Sequence, residues 1–327
     1  MLQHENVKLT PLTDGVSSEI FRVDDGDESF VVKRALPKLK VRDHWTANVD
    51  RNRVEQLCIE YIGGLLPGAV PRLLSRRKDR GYFAMELLGP EFTSWKKLLM
   101  LGGVKVEHAI NAATILGAIH ARSAGDAEAA SHFDTTANFE QLRIEPYLLA
   151  TSRRHLDLQP LIHAEAHRLA SARICLVHGD FSPKNMMISP SRFVLLDCEV
   201  AWYGDPAFDL AFLLTHFLLK GLYHAPRQIC LHEIGLLEMS RTFWQRYVEE
   251  VAGAIDARAL KLRVARLLPM LLLARVDGKS PVEYLTKPRQ ADRVREFARA
   301  AIIDACPNLD QLIDQWFAGL ERFEAQP

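Results

Sequence analysis

Residues 175–214 decide the fold of this chain, and they read CLVHGDFSPKNMMISPSRFVLLDCEVAWYGDPAFDLAFLL. Two short apolar runs, 174–177 and 193–196, each lead into a polar segment that contains an acidic residue. This pattern predicts two strands that present carboxylates at the mouth of a cleft. A tight loop between the two strands begins at His178 and ends at Asn185.

The loop and the second strand supply a base, an amide and a carboxylate in the order that phosphoryl transfer needs. This reaction requires Mg²⁺ on the phosphates, positive charge beside them, and a carboxylate that orients the attacking hydroxyl and accepts its proton. Asp180 is the candidate base. Asn185 and Asp197 are the candidate Mg²⁺ ligands, because Mg²⁺ prefers oxygen ligands next to substrate phosphates. An Asx turn followed by a hairpin would explain any one of these residues, but not the ordered set.

The same stretch resembles the aminoglycoside phosphotransferase and choline kinase superfamily of small-molecule kinases. The resemblance lies in HGDFSPKN at 178–185 and in LDCEVAWYGDPAFDLA at 196–211. The first segment has the His-x-Asp-x-x-x-x-Asn arrangement of a kinase catalytic loop, with Gly179 in place of the usual Arg. The resemblance is strong from Leu9 to His216 and loose beyond.

The resemblance implies an α+β, protein-kinase-like fold with two lobes. The first is a small antiparallel-sheet N-lobe, residues 1–88, and the second is a mainly helical C-lobe, residues 89–327. It also implies that Asp209 is a buried helix residue that braces the catalytic loop, and that His178 is a structural member of that loop. ATP and Mg²⁺ are the cofactors that such a kinase uses.

The composition is that of a soluble globular protein, with 48% hydrophobic and 25% charged residues. The net charge of zero gives no basic field for nucleic acid or for an anionic membrane. Five scattered cysteines without a Cys-x-x-Cys pair indicate reduced thiols in a cytoplasmic protein. No N-terminal apolar signal core occurs, and no apolar run reaches the roughly 20 residues of a membrane span.

The N-terminal part predicts a nucleotide-binding sheet with one helix. Gly15, Ser17 and Ser18 lie in a turn whose backbone N–H groups could bind phosphates. Lys33 closes the third strand, where a kinase has the lysine that binds the α- and β-phosphates. The predicted strands are 7–12, 20–23, 29–33, 70–74 and 82–87, and the predicted helix is 50–65.

A kinase also needs a helix glutamate to hold that lysine forward. Glu55 and Glu60 are both candidates, and Glu55 is favoured because its distance to the turn at 70–72 matches the helix-loop-strand pattern of the family. The chain must turn after the strand at 82–87. This turn is the expected hinge between the lobes, where the backbone at Glu86 and Leu88 would bind adenine.

Within the kinase fold, a small-molecule acceptor is favoured over a protein acceptor. Only eleven residues, 198–208, separate Asp197 from Asp209, which leaves no room for an activation loop. Ser182 replaces the catalytic-loop lysine of protein kinases. A catalytically inactive nucleotide-binding pseudokinase or scaffold is the alternative from another class, although Lys33 and the three loop residues are all present.

The acceptor itself stays open at this point. The segment 33–37 and the spacing from Glu55 to Pro71 look most like the methylthioribose kinase branch, whose acceptor is a sugar hydroxyl. Aminoglycosides and choline-like or homoserine-like amino alcohols remain alternatives. The sequence also leaves open the oligomeric state and the choice between ATP and GTP.

One turn near the C-terminus is a candidate for the acceptor site. Arg275, Asp277 and Lys279 follow a very apolar helix, and the tetrad Ser-Pro-Val-Glu at 280–283 predicts the start of the next helix, with Ser as N-cap and Glu closing a capping box. A turn fixed at both ends would hold the three charged side chains in place. The alternative is a solvated helix–helix turn with a surface ion pair.

Overall fold

The computed structural model describes residues 7–12, 17–39, 45–77, 81–225, 230–305 and 308–324. An N-terminal antiparallel sheet with one helix precedes a mainly helical C-terminal part, which confirms the two-lobed, protein-kinase-like α+β fold. The strands are β1 Lys8–Pro11, β2 Ser18–Asp25, β3 Glu28–Ala35, β4 Leu73–Arg77, β5 Tyr82–Glu86, β6 Thr93–Ser94, β7 Cys175–Val177, β8 Met186–Ile188, β9 Phe193–Leu195 and β10 Trp202–Gly204. The helices are α1 Arg51–Leu65, α2 Trp95–Met100, α3 Val106–Ser123, α4 Ala127–His132, α5 Thr136–Phe139, a π-helix Glu140–Leu149, α6 Ala150–Ser152, α7 Gln159–Ser171, a 3₁₀ turn Pro183–Asn185, α8 Ala207–His224, α9 Cys230–Glu250, α10 Ala257–Asp277, α11 Pro288–Ile303 and α12 Leu309–Glu324.

The N-lobe sheet contains five antiparallel strands in the order β1-β2-β3-β5-β4. A two-residue turn joins β2 to β3, and Gly26 in this turn has a φ of 64°, which glycine adopts without strain. β3 is central, and its alternating pattern buries Val31, Lys33 and Ala35 on one face. The strand period therefore turns Lys33 inward, toward α1 and the cleft.

Helix α8 is the centre of the C-lobe. It is buried on almost every side and packs against α9, α10 and α12. A helix that is apolar all round belongs in a core, so the polar residues that it contains need partners or a function. Asp209, His216 and Lys220 are such residues. Two small antiparallel sheets, β7 with β10 and β6 with β8 and β9, hold the loops of residues 178–200 against this core.

A π-helix of ten residues, Glu140–Leu149, lies between the catalytic loop and the far side of the C-lobe. Pro146 within it has no N–H to donate, so a regular α-helical bond is absent there. The buried side chains of Arg143 and Tyr147 face the catalytic loop. Glu145 instead lines a separate cavity of about 620 Å³ on the opposite side. This π-helix therefore lies between the catalytic loop and the cavity that Glu145 lines.

Two sequence expectations differ from the structure. No helix begins at Ser280, because the Ser280 hydroxyl and carbonyl both accept hydrogen bonds from Arg275 Nη1, at 3.0 and 2.5 Å, instead of capping a helix. The next helix begins at Pro288. The strand expected at 70–74 is β4, which is shifted toward the C-terminus because Pro71 has no N–H to donate to a ladder. No helix in the described ranges is long and apolar enough to cross a membrane.

Candidate active site

The candidate base, Asp180, lies after β7 in a tight loop that requires a glycine next to it. Gly179 has a φ of 76°, and a Cβ atom at this position would lie 2.5 Å from the carbonyl oxygen of Val200. Any L side chain would therefore add backbone strain and a steric clash. This explains physically why this chain has glycine where the kinase pattern has Arg.

The buried Asp209 carboxylate holds this loop from the first turn of α8. It accepts the backbone N–H groups of His178 at 2.7 Å and of Gly179 at 2.9 Å. The His178 ring in turn accepts the backbone N–H of Asp180 at Nδ1, at 3.2 Å. Burial lowers the pKa of His178, so the ring is neutral near pH 7. The contacts agree with the bracing role of Asp209 and the structural role of His178 that the resemblance implies.

Two cations hold the Asp180 carboxylate. Arg143 Nη2 and Lys184 Nζ each lie 3.0 Å from Asp180 Oδ2. Burial by itself would raise the pKa of Asp180, but the charges of Lys184 and Arg143 outweigh it and hold this pKa well below its ordinary value. Asp180 is therefore ionised at neutral pH. No described residue donates a hydrogen bond to Oδ1, which leaves this oxygen for a substrate hydroxyl.

Lys33 connects the two lobes through ion pairs. Its Nζ lies 2.8 Å from Glu55 and 2.6 Å from Asp197 Oδ1. Glu60 instead pairs with Arg76, so the helix glutamate that contacts Lys33 is Glu55. Burial opposes the charge on Lys33, but the two carboxylates raise its pKa well above the usual value. Burial, with the neighbouring acids, also raises the pKa of Glu55 to about 7.

The N–H of Leu196, the residue before Asp197, donates to the Asn185 carbonyl at 2.8 Å. This hydrogen bond brings the two candidate Mg²⁺ ligands, Asn185 and Asp197, close together in the fold. Asn185 donates its amide to the Asp180 carbonyl at 3.0 Å, and no described residue occupies its Oδ1. Asp197 has a φ of 63°, a left-handed conformation that is unusual for a residue other than glycine and that is common at functional sites. Carboxylate oxygens of Glu55, Asp197 and Glu199 lie within 4.8 Å of one another. The Asn185 amide oxygen and the Asp197 carboxylate are the kinds of oxygen donor that Mg²⁺ takes.

A buried ion pair contacts the described part of the expected phosphate-binding turn. Gly15 lies outside the described residues. The Ser17 carbonyl accepts Arg51 Nη2 at 2.6 Å, and the Ser18 hydroxyl lies 3.4 Å from Glu199 Oε2. Arg51 Nε lies 3.2 Å from the same Glu199 oxygen. Arg51 and Glu199 therefore position this turn relative to the C-lobe.

The expected hinge follows β5. The Glu86 N–H donates to the Arg72 carbonyl at 2.9 Å, and the Glu86 carboxylate pairs with Arg192 at 2.7 Å. No described residue accepts a hydrogen bond from the Leu88 N–H. Of the two backbone N–H groups, only that of Leu88 is therefore free to contact an adenine ring.

The structure separates the three residues of the candidate acceptor turn. Asp277 accepts two hydrogen bonds from Arg295, at 3.0 and 2.8 Å, and lies 2.9 Å from a ring nitrogen of His155. Lys279 pairs with Glu145 and lines the cavity on the far side of the π-helix. Arg275 instead points toward Tyr147, whose hydroxyl it contacts at 3.1 Å. Of the three, Arg275 has the contacts nearest to the catalytic loop.

The phosphotransferase enzyme family model, called APH, matches residues 8–225, which include the sheet, both candidate metal ligands and the base. The chain belongs to this family. Methylthioribose kinase of Bacillus cereus strain AH820 is 23% identical over 273 residues, which cover 75% of this chain and 67% of the relative. The APH family and these relatives make the chain a kinase-like phosphotransferase of small molecules.

Solved structures of two kinases share the APH fold at low sequence identity. Choline kinase from Cryptosporidium parvum Iowa II has a TM-score of 0.55 and 12% identity, and the match covers 99% of this chain and 95% of that one. Amicoumacin kinase in complex with AMP-PNP and Ca²⁺ has a TM-score of 0.53 and 13% identity, over 94% and 91% of the two chains.

Several charged residues of this APH-family site were not singled out from the sequence. Lys184 lies four residues after the base, so the one-turn spacing of Pro183–Asn185 was a usable signal. Arg143, Arg51 and Glu199 reach the site over long sequence separations, which no local pattern reveals. Lys220 lies in the most apolar helix, where a lysine is itself unusual.

Proposed function

We propose that this protein is an ATP-dependent O-kinase that transfers the γ-phosphate of ATP to a hydroxyl of a small molecule. The observation that supports this function best is the state of Asp180. Its carboxylate is buried, held ionised by two cations, and keeps Oδ1 open. Lys33 pairs with Asp197 and Asn185 donates to the Asp180 carbonyl, so these three residues would hold the metal-nucleotide beside the base, as an in-line transfer requires.

In the proposed reaction, Asp180 orients the acceptor hydroxyl and takes its proton as the hydroxyl oxygen bonds to the γ-phosphorus. The bond between the γ-phosphorus and the bridging oxygen of the β-phosphate breaks, and ADP leaves with that oxygen. Arg143 holds the Asp180 carboxylate in place through its second contact, a 2.5 Å hydrogen bond to the Gly179 carbonyl. Lys184 has a half-exposed side chain, so its ammonium can contact the phosphoryl group that arrives at the base. Mg²⁺, which Asn185 and Asp197 would hold, supplies neutralisation of the phosphate charge.

The nucleotide would lie between the lobes, with residues 1–88 as the nucleotide-binding lobe and residues 89–327 as the lobe of the catalytic loop and acceptor. Lys33, held forward by Glu55, would bind the α- and β-phosphates. Ser17, Ser18 and the preceding Gly15 would cover the phosphates with backbone N–H groups. The carbonyl of Glu86 and the N–H of Leu88 would bind the adenine edge.

Methylthioribose is one candidate acceptor, because curated relatives are kinases of this sugar. The second candidate function is nucleotide binding without transfer, as in a pseudokinase. An ADP-release screen of MgATP with sugars, sugar acids, amino alcohols and aminoglycosides distinguishes the two functions. We expect acceptor-dependent ADP release that Asp180→Asn abolishes. MgATP binding without ADP release for any acceptor would instead support the pseudokinase.

A further inference from the structure

We propose that the acceptor of this kinase has an anionic group, a carboxylate or a phosphate, that Lys220 and Arg275 bind while the acceptor hydroxyl lies at Asp180. This inference rests on the proposed function and narrows its substrate class. It is carried by two buried cations that have no acidic partner among the described residues.

Lys220 is the first of these cations. Its side chain is only 1% exposed within α8, and its ammonium lies 5.1 Å from the ring centroid of Tyr284. In the part of the chain that the structure describes, it has neither an ion pair nor a hydrogen bond. Burial, together with the charges of Lys96 and Arg275, lowers the pKa of Lys220 to about 7. An unmatched buried ammonium is strongly unfavourable, so a bound anion is the partner that this position lacks.

Arg275 is the second cation, and it is 9% exposed. All of its hydrogen bonds use Nη1, which contacts the Tyr147 hydroxyl and both oxygens of Ser280. Its Nε is buried without a partner, and no described residue accepts from Nη2. The Nε–Nη2 edge is the planar fork that binds a carboxylate or phosphate through two parallel hydrogen bonds. The structure leaves this edge of Arg275 free.

Arg275 is linked to the catalytic base through Tyr147 and Arg143. The Tyr147 ring lies between two guanidinium groups, with centroid distances of 5.7 Å to Arg275 and 5.8 Å to Arg143. Arg143 in turn contacts Asp180. Both ring nitrogens of the buried His216, one turn before Lys220 on α8, lack partners and are available for acceptor hydroxyls. The charges of Lys220, Arg275, Asp180 and Lys184 all act on the His216 ring, so these groups surround one region of the C-lobe, and this region is where we place the acceptor.

The charges around Lys220 and Arg275 favour an anionic acceptor over a neutral or cationic one. The acids in it are already matched, because Asp180 pairs with Arg143 and Lys184, and Glu283 pairs with Lys96. Lys220 and Arg275 are therefore excess positive charge. A choline-like or aminoglycoside acceptor would add more positive charge, and a neutral sugar would leave both cations unmatched. A hydroxy acid or a phosphorylated polyol would neutralise them.

The first test measures binding without turnover. Four matched six-carbon probes, D-glucose, D-glucosamine, D-gluconate and D-glucose 6-phosphate, and inorganic phosphate are titrated calorimetrically into the MgADP-saturated protein. We expect an anionic probe to bind at least about tenfold more tightly than glucose, the effect of a charge-assisted hydrogen bond. Binding at about pH 8 should take up close to one proton per anion, because the anion raises the pKa of Lys220. The two anionic sugars separate carboxylate from phosphate recognition.

Lys220→Met tests the residue directly, and Lys261→Met is its matched control. Lys261 also lies over an aromatic ring, Trp244, but it is ion-paired with Asp310 far from the base. Lys220→Met should weaken anion binding at least about tenfold and abolish proton uptake without lowering the melting temperature. Lys261→Met should change neither quantity. A purely structural Lys220 would give the opposite pattern, a lower melting temperature with unchanged anion binding.

The same probes in the ADP-release assay distinguish the proposed kinase function from the proposed anionic acceptor. Anion binding through Lys220 without turnover of any acceptor would contradict the kinase function and would show that the bound anion is a ligand rather than an acceptor. Turnover of neutral or cationic acceptors at equal or higher kcat/KM than the acids, unchanged in Lys220→Met, would sustain the kinase and overturn the anionic acceptor. Absence of any anion binding at Lys220 would also overturn it.

Discussion

The surroundings of Asp180 suit it to one step of the proposed reaction, removal of the proton from the acceptor hydroxyl. We expect Asp180→Asn to bind MgATP nearly as the wild type does, while kcat falls by about 10²–10⁴, the usual value of a positioned general base. Since the two cations lower the pKa of Asp180, the acid limb of the wild-type kcat profile should lie below the ordinary carboxyl range. Calorimetry and steady-state ADP release check both points.

The control for this variant is Asp157→Asn, because Asp157 is a largely exposed acid that pairs with Arg299. It should leave kcat and nucleotide binding unchanged. Wild-type-like turnover in Asp180→Asn would remove the base assignment.

Gly179 gives a second prediction at the level of the residue. Gly179 and Gly125 have nearly equal φ angles, 76° and 72°, but only at Gly179 would a Cβ atom meet a carbonyl oxygen. Gly125→Ala should lose about 1–2 kcal/mol of unfolding free energy from the left-handed backbone alone. Gly179→Ala should lose roughly 1–3 kcal/mol more because of the added clash. Urea unfolding of both variants compares them, and equal losses would show that the clash is relieved.

At the scale of elements, the C-terminal end of α10 has two roles, because Arg275 and Asp277 contact different parts of the C-lobe. Arg275→Ala should raise KM for the acceptor and leave KM for ATP near wild type, because the unpartnered Nε–Nη2 edge of its guanidinium is the group proposed to bind the acceptor. Asp277→Asn should leave both KM values unchanged but destabilise the protein by about 1–3 kcal/mol, because it weakens the pair with Arg295. Kinetics and thermal melting of the two variants test this division. A raised KM for the acceptor in Asp277→Asn would show that Asp277 belongs to the acceptor site.

The elements also show what the sequence could predict. The proximity of Asp180, Asn185 and Asp197 was predictable because one short loop and one hairpin bring them together. The inward direction of Lys33 was predictable from the strand period. The helix expected at 280–283 failed because a guanidinium from the preceding turn bonds the serine hydroxyl. Arg51, Glu199 and Lys220 depend on contacts between distant segments, which propensity and spacing do not encode.

At the scale of the whole molecule, Lys220 links pH to stability. Its pKa is about 7 in the folded protein and 10.5 ordinarily, so the unfolded chain binds more protons between these values. Unfolding free energy should therefore rise with pH in this window, by up to about 1.4 kcal/mol per pH unit, and this contribution is lost as pH falls toward 7. The groups that act on Lys220 are Lys96, Arg275 and Glu283.

Lys220→Met removes the titrating group, so its free energy of unfolding lacks this pH dependence. The difference in unfolding free energy between the wild type and the variant should therefore narrow as pH rises from about 7 to about 10. Chemical denaturation at several pH values measures it. A constant difference across the window would mean that Lys220 keeps its ordinary pKa in the folded protein.

The π-helix Glu140–Leu149 couples the acceptor side of the C-lobe to the catalytic base. It places Arg143 and Tyr147 on the acceptor side while Glu145 faces away. Removing one residue, such as the exposed Gln141, would rotate those side chains together about the helix axis, away from their present contacts. The nucleotide half would keep its own contacts. Because Arg143 also holds the base Asp180, such a deletion should lower kcat and weaken acceptor binding together while MgATP binding stays intact. A deletion variant that binds the acceptor less tightly but keeps the wild-type kcat would contradict this coupling.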